Sequence, residues 1–188
     1  MDTVFWLSRA LLDGLVSTKW GKYDQLGANM GTVLENDSNG FITESDVSIR
    51  ATRDRVYDAL AEIHQWWDPS HSFSLDANNL SLDLRPGGYF LESWGSNDGV
   101  IHSTVIFAKR AEILRLSGAL GPLQILGAYG TLTLQFEKSR IGVDLTANYQ
   151  VIGRNLEDWA TAVEQVLFEQ LVRLKNFVET GDPESTQE

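Results

Sequence analysis

The amino-acid sequence predicts an α+β domain in which a curved antiparallel sheet of seven strands wraps around a long C-terminal helix. Two observations lead to this prediction. Short segments of alternating apolar and polar residues follow one another through the middle of the chain, and strands joined by short turns pair antiparallel. A long segment with a wide apolar stripe comes last, and such a helix must bury that stripe against the apolar face of the sheet.

The composition excludes several classes of function. The chain has 188 residues, of which 43% are hydrophobic, so it can form a globular domain with a sizeable core. Its formal net charge of −11 argues against a nucleic-acid groove and against an anionic membrane surface, since both partners need a positive patch. The absence of cysteine excludes thiolate metal sites, disulfides and cysteine nucleophiles. No apolar run reaches the roughly 18 residues of a transmembrane helix.

Residues 1–40 are predicted to precede the domain. Residues 1–20 have the apolar spacing of an amphipathic helix, and residues 21–40, rich in Gly, Asn, Asp and Ser, are predicted to be a linker. The helix could pack on the domain, bind a partner or a membrane surface, or reflect a degraded targeting segment or a misassigned start. No positively charged region precedes the apolar stretch, so a secretory signal is not indicated and a cytoplasmic location is the expectation.

The first strand and the first helix are predicted at the start of the domain, which is expected to span residues 41–181. Residues 41–49 alternate as a strand does, and residues 53–68 carry apolar side chains at helical spacing. Thr52 is the predicted N-cap, and Asp68 ends the helix because a proline follows it. We expect Trp67 to lie in the core, and Trp66 to point toward the mouth of a cavity or toward the short insert that follows the helix.

Six further strands are predicted between the two helices. The PGG turn at residues 86–88 and the SNDG turn at residues 96–99 separate the first three of them. The six predicted strands span residues 80–84, 89–94, 100–107, 112–118, 128–137 and 142–152.

The final helix is predicted over residues 156–179. Asn155 is its predicted N-cap, and Gly181 with the proline two residues later is expected to end it. Residues 182–188 are predicted to form a disordered tail. Because a curved sheet cannot contact a straight helix along its whole length, an elongated cavity is expected between the two.

Several phrases of the sequence resemble a known superfamily. The order of elements is similar to that of the START-like superfamily, also called SRPBCC or Bet v 1-like, whose fold is the helix-grip. Within it, the chain most resembles bacterial proteins similar to the Hsp90 ATPase activator homologue. The resemblance covers about residues 42–180. The phrases that carry it are DVSIRATRDRVYDALAEIHQWW (46–67), WWDPSHSFS (66–74), NLSLDLRPGGYF (79–90), PGGYFLESW (86–94) and LRLSGALGPLQ (114–124). Members of this superfamily include lipid carriers, hormone receptors, polyketide cyclases, co-chaperone modules and oxygenase domains, so the resemblance implies a fold more specifically than a function.

Glu92 and His102 form the most distinctive candidate site. Glu92 lies between aromatic residues on one predicted strand and His102 lies on the next, so a hairpin through the SNDG turn would bring them together. His71 could join them from the loop after Pro69. The alternatives left open are a polar anchor for a ligand, an acid–base pair, a metal site and a purely structural arrangement. The spacing matches no metal motif, so no bound metal is expected.

Other candidate residues are expected to line the cavity. Residues 118–124 interrupt two strands with small and apolar side chains, so they form either a loop over the cavity mouth or a tight buried corner. Arg115 could bind a carboxylate ligand or pair across the strands. The residues expected at the mouth are Trp66, Trp94, Leu120, Leu123 and Gln124, and those expected on the wall are Trp159 and Val163.

These features favour binding of a small hydrophobic or lipid-like ligand in the cavity, with no cofactor. A protein-interaction domain, like a chaperone-ATPase activator, is one alternative that the resemblance implies. A cyclase or hydratase that uses Glu92 and His102 is another. No serine or cysteine nucleophile motif and no phosphate-binding loop occurs in the sequence.

Overall fold

The computed structural model of the protein describes residues 31–185. Across these residues, one antiparallel sheet contains eight strands in the order β1-β2-β8-β7-β6-β5-β4-β3. The strands are β1 Thr32–Asp37, β2 Gly40–Ile49, β3 Leu80–Leu82, β4 Tyr89–Trp94, β5 Asp98–Lys109, β6 Ile113–Ser117, β7 Tyr129–Lys138 and β8 Val143–Ile152. The helices discussed below are α1 Arg53–Ala59 and α2 Ala160–Thr180. The α+β class and the C-terminal helix agree with the sequence prediction.

The prediction of seven strands is wrong, because β1 adds an eighth at the edge of the sheet. β1 pairs with β2, and the side chain of Asp37 closes the turn by accepting hydrogen bonds from the backbone N–H groups of Asn39 and Gly40. Most residues of β1 are exposed, so the strand lacks the apolar alternation that marks a half-buried strand. The structure therefore places a strand inside the predicted linker. The predicted amphipathic helix over residues 1–20 lies outside the described residues.

The first helix is shorter than the sequence predicts. The side chain of Thr52 accepts a hydrogen bond from the backbone N–H of Arg55 at 3.2 Å, so the predicted N-cap is confirmed. α1 ends at Ala59, and a 3-10 helix over Leu60–Gln65 follows, with a break in the helical backbone at Glu62. A 3-10 helix has about three residues per turn rather than 3.6, so the faces assigned by α-helical spacing no longer hold beyond α1.

This change in helix type alters which of the two adjacent tryptophans is the more buried. Trp66 is only 4% exposed, and its indole N–H donates to the carbonyl of Ala59 at 2.8 Å. Trp67 is half-buried and its ring lies 5.9 Å from that of Trp66. The prediction that Trp66 points toward a cavity mouth is therefore wrong, whereas Trp67, although only half-buried, does pack against the apolar core.

The long helix begins later than predicted. Asn155 has a left-handed backbone, with φ of 54°, and its N–H donates to the carbonyl of Ser38, so it belongs to a turn and is not the N-cap. Leu156 is fully buried in that turn, and α2 starts at Ala160. The predicted end is confirmed, since Gly181 adopts the left-handed conformation that glycine permits and closes the helix.

α2 packs against the sheet, chiefly along β2. In the described part of the chain, buried apolar side chains form two clusters, which we call the main cluster and the end cluster. Every strand from β2 to β8 and the C-terminal part of α2 contribute to the main cluster, as do α1 and the 3-10 helix that follows it. The end cluster consists of Phe41, Ala119, Leu123, Tyr149, Val151, Leu156, Ala160 and Leu167, with Val33, Leu120, Ala128, Leu132, Trp159 and Val163 packed against it.

Polar contacts fix α2 along β2. The ammonium group of Lys175 donates to the carbonyl of Ser48, and the carboxylate of Glu179 accepts from the backbone N–H of Arg50. The described part of the predicted tail contacts α2 as well, since Arg173 forms an ion pair with Glu184. No helix within residues 31–185 is both long and apolar enough to span a membrane.

Candidate functional site

Glu92 and His102 meet on the inner face of the β4–β5 hairpin. Phe90 pairs with Ser103 and Leu91 pairs with Ile101, so His102 is an extra residue at a β-bulge. Because of the bulge, His102 and Ser103 are both buried, contrary to the simple alternation that the sequence suggests. The Nε2 atom of His102 lies 3.1 Å from Oε2 of Glu92, as expected for two residues joined by this hairpin.

The carboxylate of Glu92 also holds the loop that follows the first helical segment. It is fully buried, and it accepts hydrogen bonds from the backbone N–H of Phe73 at 3.0 Å and from that of Ser74 at 2.5 Å. Both carboxylate oxygens are therefore engaged by the protein itself. This arrangement stabilises the loop against the sheet and fixes the orientation of the imidazole.

Burial and hydrogen bonding set the charges of this pair. Burial raises the pKa of Glu92, but the hydrogen bonds from Ser74, Phe73 and His102 outweigh it and hold the pKa below its ordinary value. Burial lowers the pKa of His102 by more than the neighbouring carboxylate raises it. The pair therefore consists of an ionised Glu92 and a neutral His102, whose Nε2–H donates to the carboxylate.

Aromatic rings enclose the imidazole of His102. The ring of Phe90 lies 4.6 Å away and that of Phe73 stacks at 5.9 Å. Phe90 in turn contacts Trp67 at 5.3 Å between ring centroids. Phe73 remains 47% exposed, so it forms the outer cover of this aromatic group.

The structure separates His71 from this pair. The Nε2 atom of His71 lies 3.7 Å from Oε2 of Glu169 on α2, so the suggested grouping of His71 with Glu92 and His102 is replaced by a contact with the helix. Within residues 31–185, no three His, Asp or Glu side chains come close enough to hold a metal ion. His71 thus helps to attach its loop to α2, together with Gln170, whose side-chain oxygen accepts from the backbone N–H of Asp68 at 2.9 Å.

The lowered pKa values predict that the protein loses stability in acid. His102 takes up a proton more readily in the unfolded chain, so stability should fall as the pH drops below the ordinary histidine pKa of 6.5. Glu92 contributes stability above the ordinary glutamate pKa of 4.5, and this contribution is lost as the pH falls through its lower pKa in the folded state. Urea unfolding between pH 8 and pH 3 measures both effects.

Two histidine variants test the first of these effects. His102→Gln should flatten the pH dependence between pH 6.5 and pH 5, because no imidazole remains to be protonated there. His64→Gln is the control, since His64 is exposed on the first helical segment. If the unfolding free energy of His102→Gln depended on pH as strongly as that of the wild type, another group would cause the acid sensitivity.

Four of the other predicted residues gather at the end cluster. Leu120, Leu123, Trp159 and Val163 all pack there. Leu123 is fully buried, so residues 118–124 form a tight corner and Leu123 is not an exposed plug. The hydroxyl of Tyr149 fixes this corner, since it donates to the carbonyl of Gly118 at 3.1 Å and accepts from the backbone N–H of Leu120 at 3.0 Å.

The remaining predicted residues, Gln124, Trp94 and Arg115, lie outside the end cluster. The side-chain amide of Gln124 donates to the carbonyl of Ile101 at 2.9 Å, which ties the corner to β5. Trp94 is half-buried at the end of the β4–β5 hairpin, opposite Asp98. Arg115 donates from Nε to the hydroxyl of Thr133, so its cross-strand partner is a neutral residue.

On β2, a strip of polar side chains lies between the two clusters, and the sequence does not predict it. Thr43 and Ser45 are each 1% exposed and lie on the inner face of the strand, between Phe41 of the end cluster and Val47 of the main cluster. The hydroxyls of Thr43 and Ser45 are both buried without a hydrogen-bond partner. The carboxyl group of Glu164 on α2 lies beside Ser45, since both contact the position where a Cβ atom at Gly31 would stand. We call Thr43, Ser45 and Glu164 the polar strip.

The sequence does carry a weak signal for this strip. Thr43 and Ser45 interrupt an otherwise apolar alternation, and Glu164 interrupts a series of apolar residues at helical spacing. Two inner polar groups outside the polar strip also lack a hydrogen-bond partner: the Ser103 hydroxyl and the Gln170 side-chain nitrogen. Unpaired buried polar groups are rare in folded proteins, and each one calls for a physical explanation.

Comparison with known proteins shows the fold and no more. No family model matches the chain, and no curated protein sequence matches it. An uncharacterised protein from Rhizobium leguminosarum has a similar structure, with a TM-score of 0.54 and 18% identity over 80% of this chain and 98% of that one. A protein of unknown function from Staphylococcus aureus gives a TM-score of 0.55 at 14% identity, over 78% of this chain and 97% of that one.

A third structure extends the similarity over more of the chain. A conserved protein of unknown function from Enterococcus faecalis gives a TM-score of 0.52 at 13% identity, over 89% of this chain and 85% of that one. The shared architecture is a large antiparallel sheet with a C-terminal helix, which is compatible with a helix-grip fold.

Proposed function

We propose that the protein binds a small hydrophobic or lipid-like molecule between the sheet and α2. One observation carries the proposal: the buried hydroxyl of Thr43 has no partner and lies between two apolar clusters. Burying a hydroxyl without a hydrogen bond costs roughly 1–3 kcal/mol, so such a group is retained more readily where it has a partner in the functional state. An apolar ligand with a polar end would supply that partner.

The arrangement of α2 supports this location. Trp159, Val163 and Val166, at and just beyond the start of the helix, are only half-buried, whereas Leu171 and Leu174 farther along are fully packed in the main cluster. The start of α2 thus has fewer close neighbours than its end. Ligand sites commonly combine such apolar walls with a few placed polar groups.

The resemblance to START-like proteins agrees with this proposal. A helix-grip domain that holds a ligand between its sheet and its C-terminal helix is what the resemblance implies for residues 41–181. In this proposal the end cluster and the polar strip form the ligand site, and the Glu92–His102 pair stabilises the neighbouring loop. Because both oxygens of Glu92 already accept hydrogen bonds from the protein, the geometry favours a binding role over acid–base chemistry.

A neutral apolar probe tests the proposal. N-phenyl-1-naphthylamine should bind saturably with one site per chain, and native mass spectrometry of freshly purified protein should show a co-purified apolar molecule. Val163→Trp should reduce probe binding at least tenfold, because the larger side chain occupies the proposed site. Ile125→Trp is the matched control, since Ile125 is exposed at the corner and the same large side chain is added outside the site.

The result that contradicts the proposal is the absence of saturable probe binding together with the absence of a co-purified molecule. The protein-interaction hypothesis would then replace it. Equal binding by the wild type and by Val163→Trp would place the ligand elsewhere on the protein.

A further inference from the structure

The polar strip brings a carboxyl group to the inner face of the sheet. A Cβ atom added at Gly31 would overlap both the Oε1 atom of Glu164 and the hydroxyl of Ser45. These two groups therefore occupy one small region next to the start of β1, and the glycine leaves room for them. Thr43 lies two residues before Ser45 on the same face of β2, and its hydroxyl is unpartnered.

Among the described residues, no lysine or arginine is among the groups that act on the Glu164 carboxyl. The buried polar side chains of residues 31–185 include carboxylates, hydroxyls, amides and an imidazole, but no lysine and no arginine. The two cationic residues in the C-terminal part of α2 are engaged elsewhere. Arg173 binds the carbonyl of Trp66 and the carboxylate of Glu184, and Lys175 binds the carbonyl of Ser48 and the carboxylate of Glu179.

The surroundings of Glu164 also disfavour negative charge on its carboxyl group. Burial raises the pKa of Glu164, and the carboxylate of Glu169 raises it further, although the hydroxyl of Ser45 opposes the change. Glu164 therefore lies where negative charge is unfavourable. A second carboxylate at this position would add repulsion, whereas a protonated amine would be attracted and a hydroxyl would form neutral hydrogen bonds.

We propose that the polar strip recognises the polar end of an amphipathic ligand that carries a protonated amine or a hydroxyl group, and that it discriminates against a carboxylate. Glu164 accepts a hydrogen bond from the ligand, and the hydroxyl of Thr43 is the second contact. This proposal rests on the function proposed above, because it specifies the chemistry of the ligand at the same site.

Three ligands with the same alkyl chain test the proposal. Decylamine, decan-1-ol and decanoate are compared at pH 7 by displacement of N-phenyl-1-naphthylamine, at concentrations below those at which they aggregate. Decylamine should bind at least tenfold more tightly than decanoate, and decan-1-ol should lie between them. Tighter binding of decanoate than of the other two ligands would overturn the proposal and leave the proposed function intact.

Two matched variants separate a local effect from the overall negative charge. Glu164→Gln should weaken decylamine binding about tenfold while changing decan-1-ol binding less than twofold. Glu157→Gln removes the same charge from an exposed residue in the turn before α2, and the ratio of the two affinities should stay as in the wild type. Equal changes in the two variants would show that long-range charge alone sets the preference, which would overturn the assignment to Glu164.

A further variant keeps the proposal testable if Glu164→Gln does not fold. Thr43→Val has nearly the same shape and removes the hydroxyl, so it should weaken decan-1-ol binding about fivefold more than it changes binding of N-phenyl-1-naphthylamine, which carries no hydroxyl group. Unchanged decan-1-ol binding in this variant would show that Thr43 does not contact the ligand. If the naphthylamine probe itself does not bind to the wild type, the proposed function fails and this proposal fails with it.

Discussion

Replacing Glu92 with alanine is expected to destabilise the protein by about 3–5 kcal/mol, through buried donors left unsatisfied and the cavity left behind. The substitution leaves the backbone N–H groups of Phe73 and Ser74 and the Nε2–H of His102 without an acceptor in a buried position. It also opens a cavity where a fully buried side chain now lies. The loop around Phe73 should detach from the sheet, so protease cleavage within residues 69–76 should accelerate.

Two comparisons define the origin of this loss. Glu92→Gln retains one acceptor oxygen and the shape of the side chain. Its loss of stability, measured by urea unfolding, should therefore be clearly smaller than that of Glu92→Ala. Glu137→Ala removes an exposed carboxylate from β7 and should change stability by less than about 0.5 kcal/mol. If Glu92→Ala costs no more than Glu137→Ala, the carboxylate does not hold the loop in the way the geometry indicates.

The second large effect is expected for Leu174→Ala, at about 2–5 kcal/mol. Leu174 is fully buried in the main cluster, among side chains from the sheet and from the helical segments. Leu167→Ala removes the same atoms from the same helix, but Leu167 packs on the end cluster beside the proposed ligand site. Its loss should be smaller, because fewer contacts are made there in the absence of ligand.

The informative quantity is the difference in stability loss between Leu174→Ala and Leu167→Ala. Urea unfolding of both proteins under the same conditions measures it directly. An equal loss in Leu167→Ala would show that the end cluster is as closely packed as the main cluster, and would count against a site that can admit a ligand. An apolar ligand that binds at this end should also stabilise the wild type more than Leu167→Ala.

The sequence by itself determined the elements whose side chains alternate between the sheet and solvent. The strands from β2 to β8 all lie within or close to the predicted segments, because each has one buried face that imposes a period of two residues. The end of α2 at Gly181 was equally predictable, since a left-handed residue there follows from local chemistry. The proximity of Glu92 and His102 required only the hairpin between them.

The tertiary structure decided the features that depend on contacts between distant parts of the chain. β1 exists as an edge strand because β2 offers it a partner, and its own residues carry little apolar signal. The bulge at His102 and the 3-10 segment before Trp66 each shift the residues that face the core, which a fixed period cannot show. His71 contacts Glu169, nearly a hundred residues away, because the packing of α2 brings the two together. The polar strip arises for the same physical reason: β2 and α2 are adjacent only in the folded chain, so local periodicity records two isolated polar interruptions and not the site that they form.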